Sequence, residues 1–231
     1  MILSKQEIDT LGNQLRNIHS RLNFFPSRSD LLGELPEQLM AIKYLKDDDC
    51  VLELGGSLGR NSCVINSVLK NKSNQVVVEP SKQELVTLAQ NRDVNNLGFH
   101  IENTAICDHE LLIDDWLSPL AVQPKLKVDT ITFDNFKEKY PLNFNVLIID
   151  CEGHIVDMMK SFPNILDNIR LLIIEHDFTS EEDLKWFNNH MTENNYVMDS
   201  VINKESSIGP GMDWPWGVLT DEIFVSAWIK K

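Results

Sequence analysis

Asp150, Glu152 and His154 follow the aliphatic run 146–149, and Glu175, His176 and Asp177 follow the run 171–174. Carboxylates and imidazoles so placed can take a proton from a hydroxyl, or supply oxygen and nitrogen ligands to one divalent ion. Two more acids stand at other apolar runs: Glu53 within 51–54 and Glu79 directly after 76–78. Glu53 opens the stretch Glu53–Leu54–Gly55–Gly56–Ser57–Leu58–Gly59. Glycines there let the backbone approach a ligand, and the helix that follows offers free N–H groups to an anion. The spacing excludes two common nucleotide sites. A dinucleotide G-x-G-x-x-G loop would need glycine at Ser57 and Arg60, or at Leu58 and Asn61. A P-loop would need a Gly-Lys-Ser/Thr that does not follow. Glu79, about 20 residues beyond the loop, is placed to accept from ribose hydroxyls.

Alternating strands and helices position these groups. Ser4 to Asn23 reads as a helix opened by a Ser4/Glu7 capping box, with Ile8, Leu11, Leu15, Ile18 and Leu22 on one face. That stripe either packs on its own domain or pairs with a partner helix, as in a homodimer. Leu31 to Leu45 reads as a second helix, with Pro36 in a first turn. Asp47–Asp48–Asp49 reads as a solvated turn. Strands are expected at 51–54, 76–78, 99–101, 146–149, 171–174, 196–201 and 223–228. Helices are expected at 60–69, 81–91, 155–162 and 181–191. The segment 108–140 is too long for a bare connection and must hold structure of its own, with 127–133 extended. This order predicts an α/β fold: a Rossmann-like, doubly wound sheet of seven mostly parallel strands, the last antiparallel, with N-terminal helices. Ligands of such sheets lie beyond the carboxyl ends of the strands, where all the acids named above fall. Residues 1–45 are read as an N-terminal helical appendage and 46–231 as the main domain.

Composition narrows the partners. The 231 residues carry 21 Lys and Arg against 35 Asp and Glu, a net charge of −14. Scattered cations and excess anions argue against nucleic acid and against an anionic membrane surface. No aliphatic run is long enough to span a membrane, and no signal segment opens the chain, which places it in the cytoplasm. Cys50, Cys63, Cys107 and Cys151 lack metal-site spacing and read as small buried thiols in a reducing compartment. His19, His100, His109 and His190 read as structural or exposed, apart from the acid cluster.

The pattern E-x-G-x-x-x-G at 53–59 resembles the first motif of class I S-adenosylmethionine-dependent methyltransferases. Further segments resemble, in order, those of the FkbM-type methyltransferases. These are Val78–Glu79–Pro80–Ser81 with Leu85, Leu88 and Asn91; Asn103–Thr104–Ala105–Ile106–Cys107–Asp108; Val128–Asp134; Leu147–Gly153 with Asp150–Cys151–Glu152–Gly153; and Leu172–His176. Together they cover roughly residues 50 to 180. The chain departs from that family in having Gly55–Gly56–Ser57 for G-A-N, and His154 then Ile155 where a second acid usually follows.

The resemblance implies S-adenosylmethionine as cofactor. Gly55, Gly56, Ser57 and Gly59, preceded by Glu53, would cradle its methionine part. Glu79 and Pro80 would hold the ribose, Asn103, Thr104 and Ala105 the adenine, and Asp150 would lie by the sulfonium or amine. Asp150, Glu152, His154 and His176 are the catalytic candidates. A likeness to macrocin-type O-methyltransferases would give Mg²⁺ or Mn²⁺ to Asp150, Glu175 and His176, with Glu152 as base; otherwise His176 serves as base without metal. Trp214 and Trp216, in a loop rich in Gly, Pro and Trp, would stack on a sugar acceptor or else plug the core. The expected reaction is O-methylation of a sugar or glycan hydroxyl. The alternatives are another small-molecule hydroxyl, or a non-catalytic nucleoside-binding or assembly module of the same fold.

Overall fold

Aliphatic residues along the central strands leave no polar face, so each strand can be stable only with cover on both sides. The computed structural model describes residues 1–114, 124–203 and 223–231 and shows that cover. In chain order come α1 (Lys5–His19), α2 (Leu35–Tyr44), β1 (Val51–Leu54), α3 (Arg60–Val68), β2 (Gln75–Val78), α4 (Lys82–Val94), β3 (His100–Glu102) and β4 (Ala105–Ile106). Then follow β5 (Leu111–Asp114), β6 (Lys125–Val128), β7 (Thr130–Ile131), α5 (Phe133–Lys139), β8 (Val146–Ile149), α6 (Ile155–Ser161), β9 (Leu171–Glu175), α7 (Glu181–Glu193), β10 (Tyr196–Asn203) and β11 (Ile223–Lys230).

The main sheet has seven strands in the order β10-β11-β9-β8-β1-β2-β3. All neighbours in β9-β8-β1-β2-β3 are parallel, and β11 runs antiparallel to both β9 and β10. Successive side chains of a strand point to opposite faces. Val51, Val77, Val146, Leu171 and Val225 therefore join Leu15, Leu39, Ile65 and Leu88 from α1 to α4 in one buried cluster. Leu52, Val76, Leu147, Leu172 and Trp228 join Phe136, Ile155 and Phe187 from α5 to α7 in the other. This is the doubly wound fold expected from the strand–helix alternation.

Three local expectations change. Leu31–Leu45 is not one helix: a 3-10 helix at Arg28–Glu34 precedes α2, and Glu34 breaks the helical backbone between them at φ −126°, ψ 43°. Pro36 sits in the first turn of α2, where its missing N–H costs nothing. The extended segment expected to reach Phe133 stops earlier; Thr132 caps α5, which buries Phe133 and Phe136. Asp49 is not solvated. It is 1% exposed, accepts from Arg170 Nε at 3.0 Å and Asn145 Nδ2 at 3.0 Å, and so ties the entry of β1 to the entries of β8 and β9. The α1 stripe takes the first of its two readings and packs on its own domain: Ile8 and Leu15 are 5% and 0% exposed and pack with α2 and α3 residues.

Candidate functional site

The chain leaves β1 toward β2 on one side and returns to β8 on the other, so the sheet's switch point lies between β1 and β8. There Asp150 N–H donates to the Leu54 carbonyl at 2.9 Å, and Gly55 follows with φ +88°. A Cβ at Gly55 would stand 1.6 Å from the Asp150 carbonyl oxygen, so only glycine fits. Gly59, at φ +89°, turns the loop into α3. Gly56 is needed for packing: its Cβ would meet Val77 Cγ1 at 2.4 Å.

Beyond these strand ends lies a cavity of about 620 Å³, within the range of small-molecule sites. Gly55, Ser57, Glu79, Pro80, Ala105, Asp150, Glu152 and His154 all line it. Glu79 is the best-anchored of them. It is 4% exposed, and its two carboxyl oxygens accept the backbone N–H groups of Ser57 and Ser81, both at 2.7 Å. Burial, then the neighbouring Glu84, pushes its carboxyl up to about 7, against the pull of those N–H donors. Asn103 stays off the cavity wall; its Nδ2 donates to the Glu79 carbonyl at 2.7 Å and closes the end of β2 onto β3. Thr104 likewise turns inward, to Glu102 at 3.0 Å.

Glu53 is 1% exposed beneath the loop, where Gln75 Nε2 donates to it at 2.8 Å. Burial pushes its carboxyl up to about 8. It supports the glycine loop from below rather than reaching the cavity.

Glu152 and Gly153 form a left-handed pair, at φ +52° and +84°. Gly153 N–H donates to Asp177 Oδ2 at 2.5 Å, and a Cβ on Gly153 would strike Thr179 Cγ2 at 2.7 Å. The loop after β9 thereby fixes the turn after β8 and directs Glu152 into the cavity. A non-glycine residue at positive φ costs about 1–3 kcal/mol and persists where surrounding contacts impose it. The Glu152 carboxyl is raised by burial and by Asp177 and Asp114. His154, at the start of α6, is lowered by burial and stays neutral near pH 7. Burial raises both Asp150 and Glu175; Glu175 then raises Asp150 further, while Glu37 raises Glu175 and its hydrogen bond with Asp150 lowers it.

Asp150, Glu175 and His176 are not gathered as a metal site. The His176 ring turns away to Ser226 Oγ at 2.7 Å and rests edge-on against Phe178. Burial lowers its pKa to about 4, and neither it nor Glu175 lines the cavity. Among the described residues, the one set of three metal-ligating side chains whose atoms lie within 4.8 Å of one another is Cys107, Asp108 and His109.

The sequence reading missed one wall of the cavity. The antiparallel β5–β6 hairpin folds over the strand ends, and His109, Leu111, Ile113 and Asp114 line the side facing Glu152 and His154. His109 is thus not apart from the cluster. The short apolar run 111–113 was the available signal, but three residues without a partner strand are weak evidence. Glu34, Arg60, Glu84 and Asp157 also line the cavity. Trp214 and Trp216 lie outside the described residues.

No protein-family model matches the chain. Over 155 residues it is 21% identical to hexuronic acid methyltransferase AglP of Haloferax volcanii. The match takes in 63% of each chain, so this chain spans under two thirds of that relative. Among solved structures it resembles the ribosomal protein L11 methylase of Lactobacillus delbrueckii, with a TM-score of 0.51 and 10% identity over 90% of this chain and 81% of that one. It also resembles TrmK of M. capricolum, solved with S-adenosyl-homocysteine, with a TM-score of 0.50 and 16% identity over 84% and 67% of the two chains. A third is a methyltransferase candidate of Streptococcus mutans, also solved with S-adenosyl-homocysteine, with a TM-score of 0.52 and 9% identity over 85% and 98%. At these identities the likeness establishes the fold, that of the class I methyltransferases.

Proposed function

We propose that the chain is an S-adenosylmethionine-dependent O-methyltransferase acting on a hydroxyl of a sugar or glycan. The observation that carries this reading is Glu79, held by two backbone N–H groups on the wall of a cavity that also receives Glu152 and His154. A carboxylate so fixed matches a ribose diol, since each oxygen keeps a lone pair for a hydroxyl. Gly55 and Asp150 line the cavity together, and its acidic wall suits a sulfonium cation. Gly55, Ser57, Glu79, Pro80, Ala105 and Asp150 would hold the cofactor, which supplies an activated methyl group when bound. The protein's own task is to align the acceptor hydroxyl and remove its proton. Glu152 takes that proton: it faces the cavity and its carboxyl is raised toward neutrality. His154, neutral beside it, orients the acceptor. The ordered FkbM-type segments and the likeness to a hexuronic acid methyltransferase support a sugar acceptor.

Calorimetry and a transfer assay test the reading. S-adenosylmethionine should bind, Glu79→Ala should weaken binding at least about tenfold, and labelled methyl should pass to free sugars or glycans. Absence of binding at millimolar cofactor, or transfer only to protein or nucleic acid, would overturn it.

A further inference from the structure

Between β4 and β5, three consecutive residues, Cys107, Asp108 and His109, bring a thiol, a carboxyl and an imidazole together. In a strand, such neighbours would point to opposite faces. Here the chain bends at Asp108 and His109, and one donor atom from each of the three lies within 4.8 Å of the other two. His109 Nδ1 is 2.8 Å from Asp108 Oδ1 and 3.3 Å from Cys107 Sγ. Segments far apart in the chain hold the group in place. Cys107 N–H donates to the Ile131 carbonyl at 3.0 Å, beside the β4–β7 pair. Ser161 Oγ, at the end of α6, donates to Asp108 Oδ1 at 3.3 Å. Cys107, His109 and Ser161 all line the cavity.

The cluster lacks a positive charge. On the hairpin beside it, Glu110 pairs with Lys127 and Asp114 with Lys125, whereas Asp108 has no Lys or Arg ion-pair partner among the described residues. Thiolate, neutral imidazole and carboxylate are the ligand types of a borderline-soft ion of the zinc class; Mg²⁺ and Ca²⁺ take oxygen ligands instead. A tetrahedral ion with bonds of about 2.0–2.3 Å sets its ligand atoms roughly 3.3–3.8 Å apart. The spacings here, from 2.8 Å up to 4.8 Å, bracket that range. Asp108 and His109 are exposed, so an ion can reach them from solvent.

We propose that Cys107, Asp108 and His109 bind one zinc-class divalent ion on the hairpin wall of the cavity. Binding releases the thiol proton to solvent and leaves the imidazole neutral, with its proton on Nε2 and Nδ1 on the metal. Ser161 orients the carboxylate from behind. Three protein ligands leave a fourth position for water or another oxygen ligand, the open arrangement of catalytic rather than structural zinc sites.

Cobalt(II) tests the site by colour, without turnover. Titrating the full chain with Co²⁺ should raise a thiolate-to-cobalt charge-transfer band in the near ultraviolet that saturates at one equivalent. Added Zn²⁺ should remove the band, and Mg²⁺ should leave it. Cys107→Ser should abolish it, and Cys151→Ser, which alters the other cysteine on the cavity wall, should keep it. In competition with a chromophoric chelator, His109→Asn should weaken Zn²⁺ binding at least about tenfold. Asp108→Asn changes an exposed side chain, should act in the same direction, and serves if either other variant fails to fold. A chain without the band, a band that survives Cys107→Ser, or Zn²⁺ affinity unchanged within about twofold in the His109 and Asp108 variants would overturn the inference. None of these readouts uses S-adenosylmethionine, so the proposed function stands or falls separately.

Discussion

At the scale of single residues, the site works by holding carboxyls out of water. Glu152 is the residue whose loss should separate chemistry from binding. Glu152→Gln keeps the shape and removes the base, so kcat should fall about 10²- to 10⁴-fold while S-adenosylhomocysteine affinity stays within about twofold. A parallel loss of affinity would return Glu152 to a structural role. Glu53 has the opposite character, buried at 1% exposure and raised to about 8 by that burial. Its folded pKa lies above its unfolded value, so the folded chain holds a proton that the unfolded chain releases. Its contribution is therefore complete below about pH 4.5 and is lost as pH rises through about 8. Thermal melting of the apo-protein should show Tm falling from pH 6 to pH 9, less steeply in Glu53→Gln.

At the scale of elements, the glycine loop is a packing solution before it is a ligand cradle. β1 and β8 end side by side, and their ends come so close that Gly55 has 1.6 Å where a Cβ would sit. Gly55→Ala meets both that clash and a left-handed φ, which by itself costs about 1–2 kcal/mol. Urea unfolding should register a loss above about 2 kcal/mol. A loss within experimental error would mean the strand ends can separate freely. The Glu152–Gly153 turn follows the same logic, pinned from the loop after β9 by Asp177. Two neighbouring strand ends thereby act as one unit.

At the scale of the molecule, the segment before the sheet belongs to the packing of the whole. Leu15 is 0% exposed and shares a buried cluster with Val51, Val146 and Ile173 from three strands. Leu15→Ala should cost about 2–5 kcal/mol and leave one cooperative transition; a separate early transition would show α1 to be independent. The net charge of −14 also acquires a location. Glu34, Glu79, Glu84, Asp114, Asp150 and Glu152 line a cavity whose one Lys or Arg, among the described residues, is Arg60. Cationic ligands gain there and anionic ones are repelled. Within the proposed reaction, neutral sugars should therefore show a higher kcat/KM than uronic acids, a gap that narrows as salt screens the field. Faster turnover of the uronic acid at low salt would reverse this.

The sequence by itself determined the strand–helix alternation, the glycine loop, and the acids at the strand ends. Each of these is written in a contiguous pattern: aliphatic runs of strand length, a capping box at Ser4, glycines where φ must be positive. It could not determine which of those acids share a cavity. Glu53 and Glu79 both adjoin apolar strand runs, yet one lies under the loop and the other on the cavity wall, because Glu53 is inside β1 opposite Val77 while Glu79 lies past the end of β2. His176 and His154 differ likewise, one captured by Ser226 on β11, a sheet neighbour far off in the chain, and the other left on the wall. Glu34 and the β5–β6 wall carry at most a weak local signature, since they join the site through packing between segments far apart in the chain. Chemistry that depends on distances between such segments is decided only when the sheet is assembled.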